Sequence, residues 1–146
     1  MQILKFIKKL NFLFNISYII INNKNKQMIV CGNRHNIILT ENNELYVCGY
    51  NDYGQLGLGD NKNRNTHTKL EHNFGIIKNI YCGGFHNIIL NENNEIFVCG
   101  YNHYGQLGLG DCDNRNIYTK LDLPFDIFNR KPIEYILELN LGEIII

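Results

Sequence analysis

From residue 28 onward the apolar positions fall in short runs of strand length, separated by polar and glycine-rich interruptions. Met28 to Val30 leads into Cys31-Gly32, and Asn36 to Thr40 forms the next run. A polar tetrad, Glu41-Asn42-Asn43-Glu44, precedes Leu45-Tyr46-Val47-Cys48. Asparagine tolerates the left-handed backbone that a tight hairpin needs, so these two arms predict a β-hairpin. Next comes a block in which Gly54, Gly57 and Gly59 permit unusual backbone angles while Leu56 and Leu58 return apolar side chains inward, the signature of a compact loop. Thr68-Lys69-Leu70 and Phe74 to Tyr81 supply further short strands. The periodicity is that of strands, not helices.

The whole pattern then recurs at an offset of 51 residues. Cys31 to Leu70 aligns without a gap to Cys82 to Leu121, with 30 of 40 positions identical. Four short strands in about fifty residues is the allotment of one propeller blade. The expected fold is all-β, two four-stranded antiparallel blades of an incomplete β-propeller. The expected units are an N-terminal apolar extension (1–27), a first repeat (28–81), a second repeat (82–132) and a truncated or degenerate third (133–146), starting near Ile133.

The extension is apolar from Met1 to Ile21 but carries Lys5, Lys8 and Lys9, and Ile3, Ile7, Leu10 and Phe14 share a helical face. Asn11 and Asn15 break the apolar run, which is too short to span a bilayer, and no A-x-A-like site follows it. A packing helix or a degenerate strand is expected there, in preference to a secretory signal with Ile16 to Ile21 in its core.

Composition narrows the functional classes. Fourteen basic residues balance fourteen acidic ones, so no global field draws the chain to nucleic acid or an anionic membrane. Residues 1–30 hold five Lys and no acid, and residues 122–146 hold five acids against Arg130 and Lys131, which permits a loose attraction between the ends. The 24 Asn and 22 Ile reflect a bias acting on every segment, so no single Asn is decisive. Cys31, Cys48, Cys82, Cys99 and Cys112 form two repeat-related pairs and an odd one within apolar runs, which points to reduced, buried thiols in an intracellular protein. Cys31 with His35, and Cys82 with His86, share a C-x-x-x-H spacing, but the strand-like surroundings favour no metal.

The order Cys-Gly-x-x-His-x-x-x-Leu, an acidic turn, then aromatic-x-Cys-Gly-x-Asn-x-x-Gly-Gln-Leu-Gly-x-Gly resembles the repeat of the regulator of chromosome condensation family. Gly32, His35, Leu39, Gly49, Asn51, Gly54, Gln55, Leu56, Gly57 and Gly59 fall on that pattern. So do Gly83, His86, Leu90, Gly100, Asn102, Gly105, Gln106, Leu107, Gly108 and Gly110. The chain departs from the pattern in three ways. Cys48 and Cys99 stand where the family usually has Trp, which trades a ring for a small thiol and weakens blade packing. Asn replaces the turn glycine, and the family's seven-bladed ring is represented by two recognisable repeats.

No catalytic constellation emerges. Asp60 follows the glycine block where a phosphate loop would need Gly-Lys-Ser or Gly-Lys-Thr opening a helix. His35 and His86 would act as bases only opposite a Ser or Cys; a fixed repeat position better suits a histidine that ties neighbouring strands by hydrogen bonds. Glu41 and Glu44 lie on a turn and are expected to be solvated. No cofactor is implied. The resemblance implies a protein-binding module with a protein partner, or alternatively guanine-nucleotide exchange on a small GTPase, which works by binding the nucleotide-free state more tightly. Chromatin binding is a third reading, opposed by the neutral charge. Positions that differ between the repeats, Asn33 and Arg34 against Gly84 and Phe85, and Asp52 against His103, are the expected partner contacts. Self-association to complete a ring is expected, because two blades leave faces open.

Overall fold

The computed structural model describes residues 17–22 and 27–123. Among these residues there are nine strands and no helix: β1 (Ser17–Asn22), β2 (Gln27–Cys31), β3 (His35–Leu39), β4 (Leu45–Gly49), β5 (Arg64–Lys69), β6 (Ile77–Cys82), β7 (His86–Asn91), β8 (Ile96–Gly100) and β9 (Arg115–Leu121). They form two antiparallel sheets, ordered β1-β2-β3-β4-β5 and β6-β7-β8-β9. Each repeat thus builds a four-stranded meander, β2–β5 or β6–β9. The repeat units and the sheets are out of phase, since β6 opens the second sheet five residues ahead of Cys82.

One strand lies outside this scheme. Within the apolar extension, Ser17–Asn22 is a strand that pairs with β2, from Ser17 opposite Cys31 to Ile20 opposite Met28. Its isoleucine run favours extended backbone, and β2 would otherwise present an unpaired edge. Of the two expected forms, helix or degenerate strand, these residues take the strand, and the first sheet gains a fifth member. Residues 1–16 and the expected third unit at 133–146 lie outside the described residues.

Both hairpins close as the Asn-Asn tetrads require. Asn43 and Asn94 are the described non-glycine residues with left-handed backbone, at φ 64° and 61°. In the first turn Asn43 N–H bonds to the Thr40 carbonyl at 3.0 Å, and Thr40 Oγ1 accepts from Glu44 N–H at 3.1 Å. Asparagine fills the turn glycine's place because it tolerates that conformation, and the Asn43 side-chain amide reaches the next sheet, donating to the Gly75 carbonyl at 2.8 Å and accepting from Ile77 N–H at 2.9 Å. Glu44 is not simply solvated: it pairs with Lys69 at 2.8 Å across the sheet.

The core lies between the two sheets. Val30, Ile37, Leu39, Leu45 and Val47 of the first sheet and Leu56 of its loop meet Ile77, Ile80, Ile89, Phe97 and Cys99 of the second. Burying each such aliphatic or aromatic side chain contributes roughly 1.5–3 kcal/mol. The linker between the sheets wedges Leu70 and Phe74 into this junction, and Phe74 stands edge-on to Phe97 at 5.2 Å and to Tyr118 at 5.1 Å. Alternation along β3, buried at His35, Ile37 and Leu39, aims one whole face of the first sheet at the second.

Candidate interaction site

The glycine-rich loop is organised around one buried asparagine per repeat. Asn51 Oδ1 accepts from Leu56 N–H at 2.8 Å, while Nδ2 donates to the carbonyls of Asp60 at 2.8 Å and Lys62 at 3.1 Å. Asn102 repeats this with Leu107 at 2.8 Å and Asp111 at 3.0 Å. Gln55 Oε1 and Gln106 Oε1 cap Tyr53 N–H and Tyr104 N–H at 3.1 and 3.0 Å. Arg64 and Arg115 then lock Asp60 and Asp111 at the loop's far end, and these arginines hold both carboxyls below the usual range. Every backbone donor so held is unavailable to a phosphate.

At the blade junction His35 is 4% exposed, and its Nε2–H donates to Asn87 Oδ1 of β7 at 2.8 Å. Asn87 Nδ2 donates to the Gln55 carbonyl at 2.6 Å, which also accepts from the Cys99 thiol at 3.4 Å. Burial keeps His35 neutral by lowering its pKa, against the opposing pull of the Asn87 bond. The histidine's partner is thus an amide in the next blade, not a nucleophile. Gly49 and Gly100, at φ 111° and 103°, turn the chain out of β4 and β8 where a side chain would strike the backbone of Arg34 or Phe85. Gly32 and Gly83 leave room for the rings of His35 and His86, and Leu39 and Leu90 are buried.

The thiols differ in setting. Cys99 is buried and pushed up to about 12 by desolvation, Cys82 is raised further, and Cys31 is also raised by burial. Cys48 is half-buried and Cys112 is exposed, so the expectation of buried thiols fails at Cys112. That residue sits on the solvated glycine-block exit, where no strand covers it. Among the described residues no cluster of three His, Cys, Asp or Glu could hold a metal.

The loop ends of the strands carry a different chemistry. Tyr53 lies 5.4 Å from Phe85 and 4.8 Å from Tyr101, and Tyr50 lies 5.9 Å from both Tyr53 and Phe85. Tyr101 continues to His103 at 4.7 Å and Tyr104 at 5.9 Å, and the Arg34 guanidinium stands 5.9 Å over the Tyr50 ring. These rings run unbroken from one blade to the other. Of the sequence-nominated contacts, Arg34, Phe85 and His103 touch this belt. Asp52 is exposed beside it and raises the Tyr50 pKa by accepting its hydroxyl. Asn33 and Gly84 are engaged with each other, Asn33 N–H bonding to the Gly84 carbonyl at 3.1 Å. The four tyrosines escaped the residue-difference criterion because they are identical in both repeats; their recurrence beside the glycine block was the available signal. A separate cleft of about 430 Å³ is lined by Leu58, Arg64, Lys69, His72 and Ile117 among others.

Models of the regulator of chromosome condensation (RCC1) repeat match residues 29–55, 77–106 and 93–136. The chain belongs to the RCC1 repeat family. It is 38% identical over 93 residues to the human X-linked retinitis pigmentosa GTPase regulator, covering 60% of this chain and 9% of that protein. It is 33% identical over 97 residues to the Arabidopsis thaliana ultraviolet-B receptor UVR8, covering 66% and 22%. With the Bos taurus secretion-regulating guanine nucleotide exchange factor it shares 39% over 82 residues, covering 56% and 18%. The chain therefore spans under a quarter of these relatives. Yeast RCC1 (Prp20), solved with Kap60, superposes with a TM-score of 0.57 at 25% identity over 66% of this chain and 24% of that one. Human WBSCR16 superposes at 0.58 and 24% identity, over 73% and 29%, showing the shared fold. Here the RCC1 repeat's scaffold residues hold blades and loops together, and the aromatic belt is what they present outward.

Proposed function

We propose that this RCC1-repeat chain is a protein-interaction module, with no covalent chemistry of its own, that contacts its partner through the aromatic loop belt. The observation carrying this reading is the belt's continuity across both blades, ending in a Tyr104 that is 85% exposed. Tyrosine and arginine are the residues in which interface energy concentrates: tyrosine buries a large rigid ring and keeps a polar tip, and arginine's planar guanidinium stacks on rings while donating hydrogen bonds. His35, Gln55, Asn51 and the loop glycines act as scaffold, and Arg34, Asp52, Phe85 and His103 tune the belt. Nothing in the described fold crosses a membrane by helix: no helix there is long and apolar enough.

A second reading is regulation of a small GTPase by nucleotide exchange. Two relatives are a GTPase regulator and a guanine nucleotide exchange factor, and Saccharomyces cerevisiae Prp20p, of the same fold, has binding properties toward Gsp1p and histones. Release of labelled GDP from a panel of small GTPases, with and without excess chain, separates the readings. Acceleration supports exchange; binding without acceleration, weakened by Tyr104→Ala, supports the interaction module. Binding that Tyr104→Ala and Phe85→Ala leave unchanged refutes the belt as the contact surface. Affinity for DNA or nucleosomes that falls steeply with salt would instead support chromatin binding.

A further inference from the structure

The two repeats are nearly identical in sequence, yet their equivalent residues meet different surroundings. In the first repeat His35 and Gln55 are buried and bonded to Asn87, Gly57 is buried, and Gly59 N–H bonds to the Asn116 carbonyl at 2.8 Å. A side chain at Gly54 would collide with Asn116, and one at Gly57 would come within 2.5 Å of the Tyr118 ring. Their counterparts in the second repeat are open. His86 and Gln106 are half-buried, Gly108 is exposed, and an added Cβ at Gly105 meets only the Asp111 carbonyl at 3.8 Å. Among the described residues, His86 has no side-chain hydrogen-bond partner. The second blade thus repeats one half of the existing junction.

The other half is also present, on the far face of the first blade. The residues of the second blade that close the junction are Asn87, Cys99 and Asn116, with Ile80 and Ile89 behind them. One repeat earlier these are Asn36, Cys48, Asn65, Ile29 and Ile38, the same residue at all five positions. Asn36 is half-buried and Asn65 exposed. Asn36 is held in place by His67, whose Nε2–H donates to its Oδ1 at 2.9 Å, and by Cys48 Sγ at 3.3 Å from its Nδ2. His67, exposed, stands where Tyr118 is buried in the second blade.

We propose that copies of this chain associate head to tail, the first blade of one copy docking on the open face of the second blade of another. The docked contact repeats the junction already inside each chain: His86 meets Asn36 of the second copy, that Asn36 meets the Gln106 carbonyl, and Gly110 N–H meets the Asn65 carbonyl. Such an interface is heterologous, so it builds a ring where the rotation closes and a filament where it does not. The docked contact also sets Tyr104 against Arg34 and Tyr50 of the second copy, as Tyr53 meets Phe85 and Tyr101 within the chain, so assembly and the aromatic belt share Tyr104, while the two substitutions below lie outside the belt.

Light scattering coupled to size exclusion, run on the 146-residue chain over a range of concentrations, tests it. Mass should rise with concentration in multiples of 17.0 kDa. Two substitutions each block one face. Asn65→Arg places a long charged side chain on the first blade's face. Gly105→Asn keeps a left-handed backbone that Asn43 already adopts, its Cβ meets only the Asp111 carbonyl at 3.8 Å, and it adds bulk where the equivalent Gly54 is in contact with Asn116. Each variant alone should be monomeric with its thermal transition retained at low concentration. Mixed, they should pair through their intact faces into a 1:1 dimer. A wild-type chain that stays monomeric at every concentration overturns the proposal. So does assembly that both substitutions leave unchanged, or a mixture that forms no dimer.

Discussion

Asn36 and Asn87 occupy the same repeat position, yet replacing each with alanine should have very different consequences. Asn87 has no solvent exposure and links two blades, accepting from His35 at 2.8 Å and donating to the Gln55 carbonyl at 2.6 Å. Asn87→Ala strands the buried His35 Nε2–H, whose ring partner Nδ1 already lacks a bond. A stranded buried donor costs about 1–3 kcal/mol, and losing a satisfied hydrogen bond costs about 0.5–1.5 kcal/mol. The Gln55 carbonyl keeps the Cys99 thiol at 3.4 Å, which softens its share. The sum is about 2–4 kcal/mol, a large fraction of the ~5–15 kcal/mol that stabilises a typical domain. Asn36→Ala instead frees groups that water reaches, and should cost under about 1 kcal/mol. Urea unfolding followed by circular dichroism, at a concentration where the chain is monomeric, measures both. Equal losses in the two variants would refute the inter-blade role of this amide.

Gly57→Ala and Gly108→Ala share a left-handed backbone at φ 70°, so both bear its strain. Only the first drives a methyl into Tyr118, so its loss of stability should exceed that of Gly108→Ala by about 1–3 kcal/mol in the same unfolding assay. Burial lowers the pKa of His35, His72 and His86 from 6.5, so the unfolded chain binds more protons below that value. Stability is then complete above about pH 6.5 and falls as pH drops beneath it, by up to ~1.4 kcal/mol per pH unit for His35. Unfolding midpoints at pH 7.5 and 5.5 should show the decline, separate from the carboxylate window near pH 4. Alkylation of the native chain followed by mass spectrometry should label exposed Cys112 first and Cys99 and Cys82 only on unfolding, because burial keeps the latter two as thiols.

Much of the fold was legible in the chain because its signals are local. Alternation at Ile37 and Leu39, the Asn42-Asn43 tetrad and the glycine block each specify backbone geometry within a few residues. The single asparagine that organises each loop was visible as a motif residue, and its partners, Asp60 and Asp111, follow nine positions later. The β1 strand was not resolved from a helix, because apolar spacing over Met1 to Ile21 fits both. What decides it is a free strand edge on β2, a property of the sheet.

Thiol settings divide in the same way. Cys48 and Cys99 are equivalent in sequence, but Cys99 lies beneath the first blade's loop while Cys48 faces outward toward His67. The aromatic belt likewise needs both blades side by side before Tyr53 can reach Phe85 and Tyr101.

By itself the sequence determined the repeat, its strands, its turns and its family, because a 51-residue period with matching hydrophobic spacing imposes one local geometry twice. Only the tertiary structure decided which copy of each residue is buried. Packing is a relation between two blades and has a direction: the first repeat's His35, Gln55 and Gly57 are covered, while the second repeat's His86, Gln106 and Gly108 are left to meet whatever docks there.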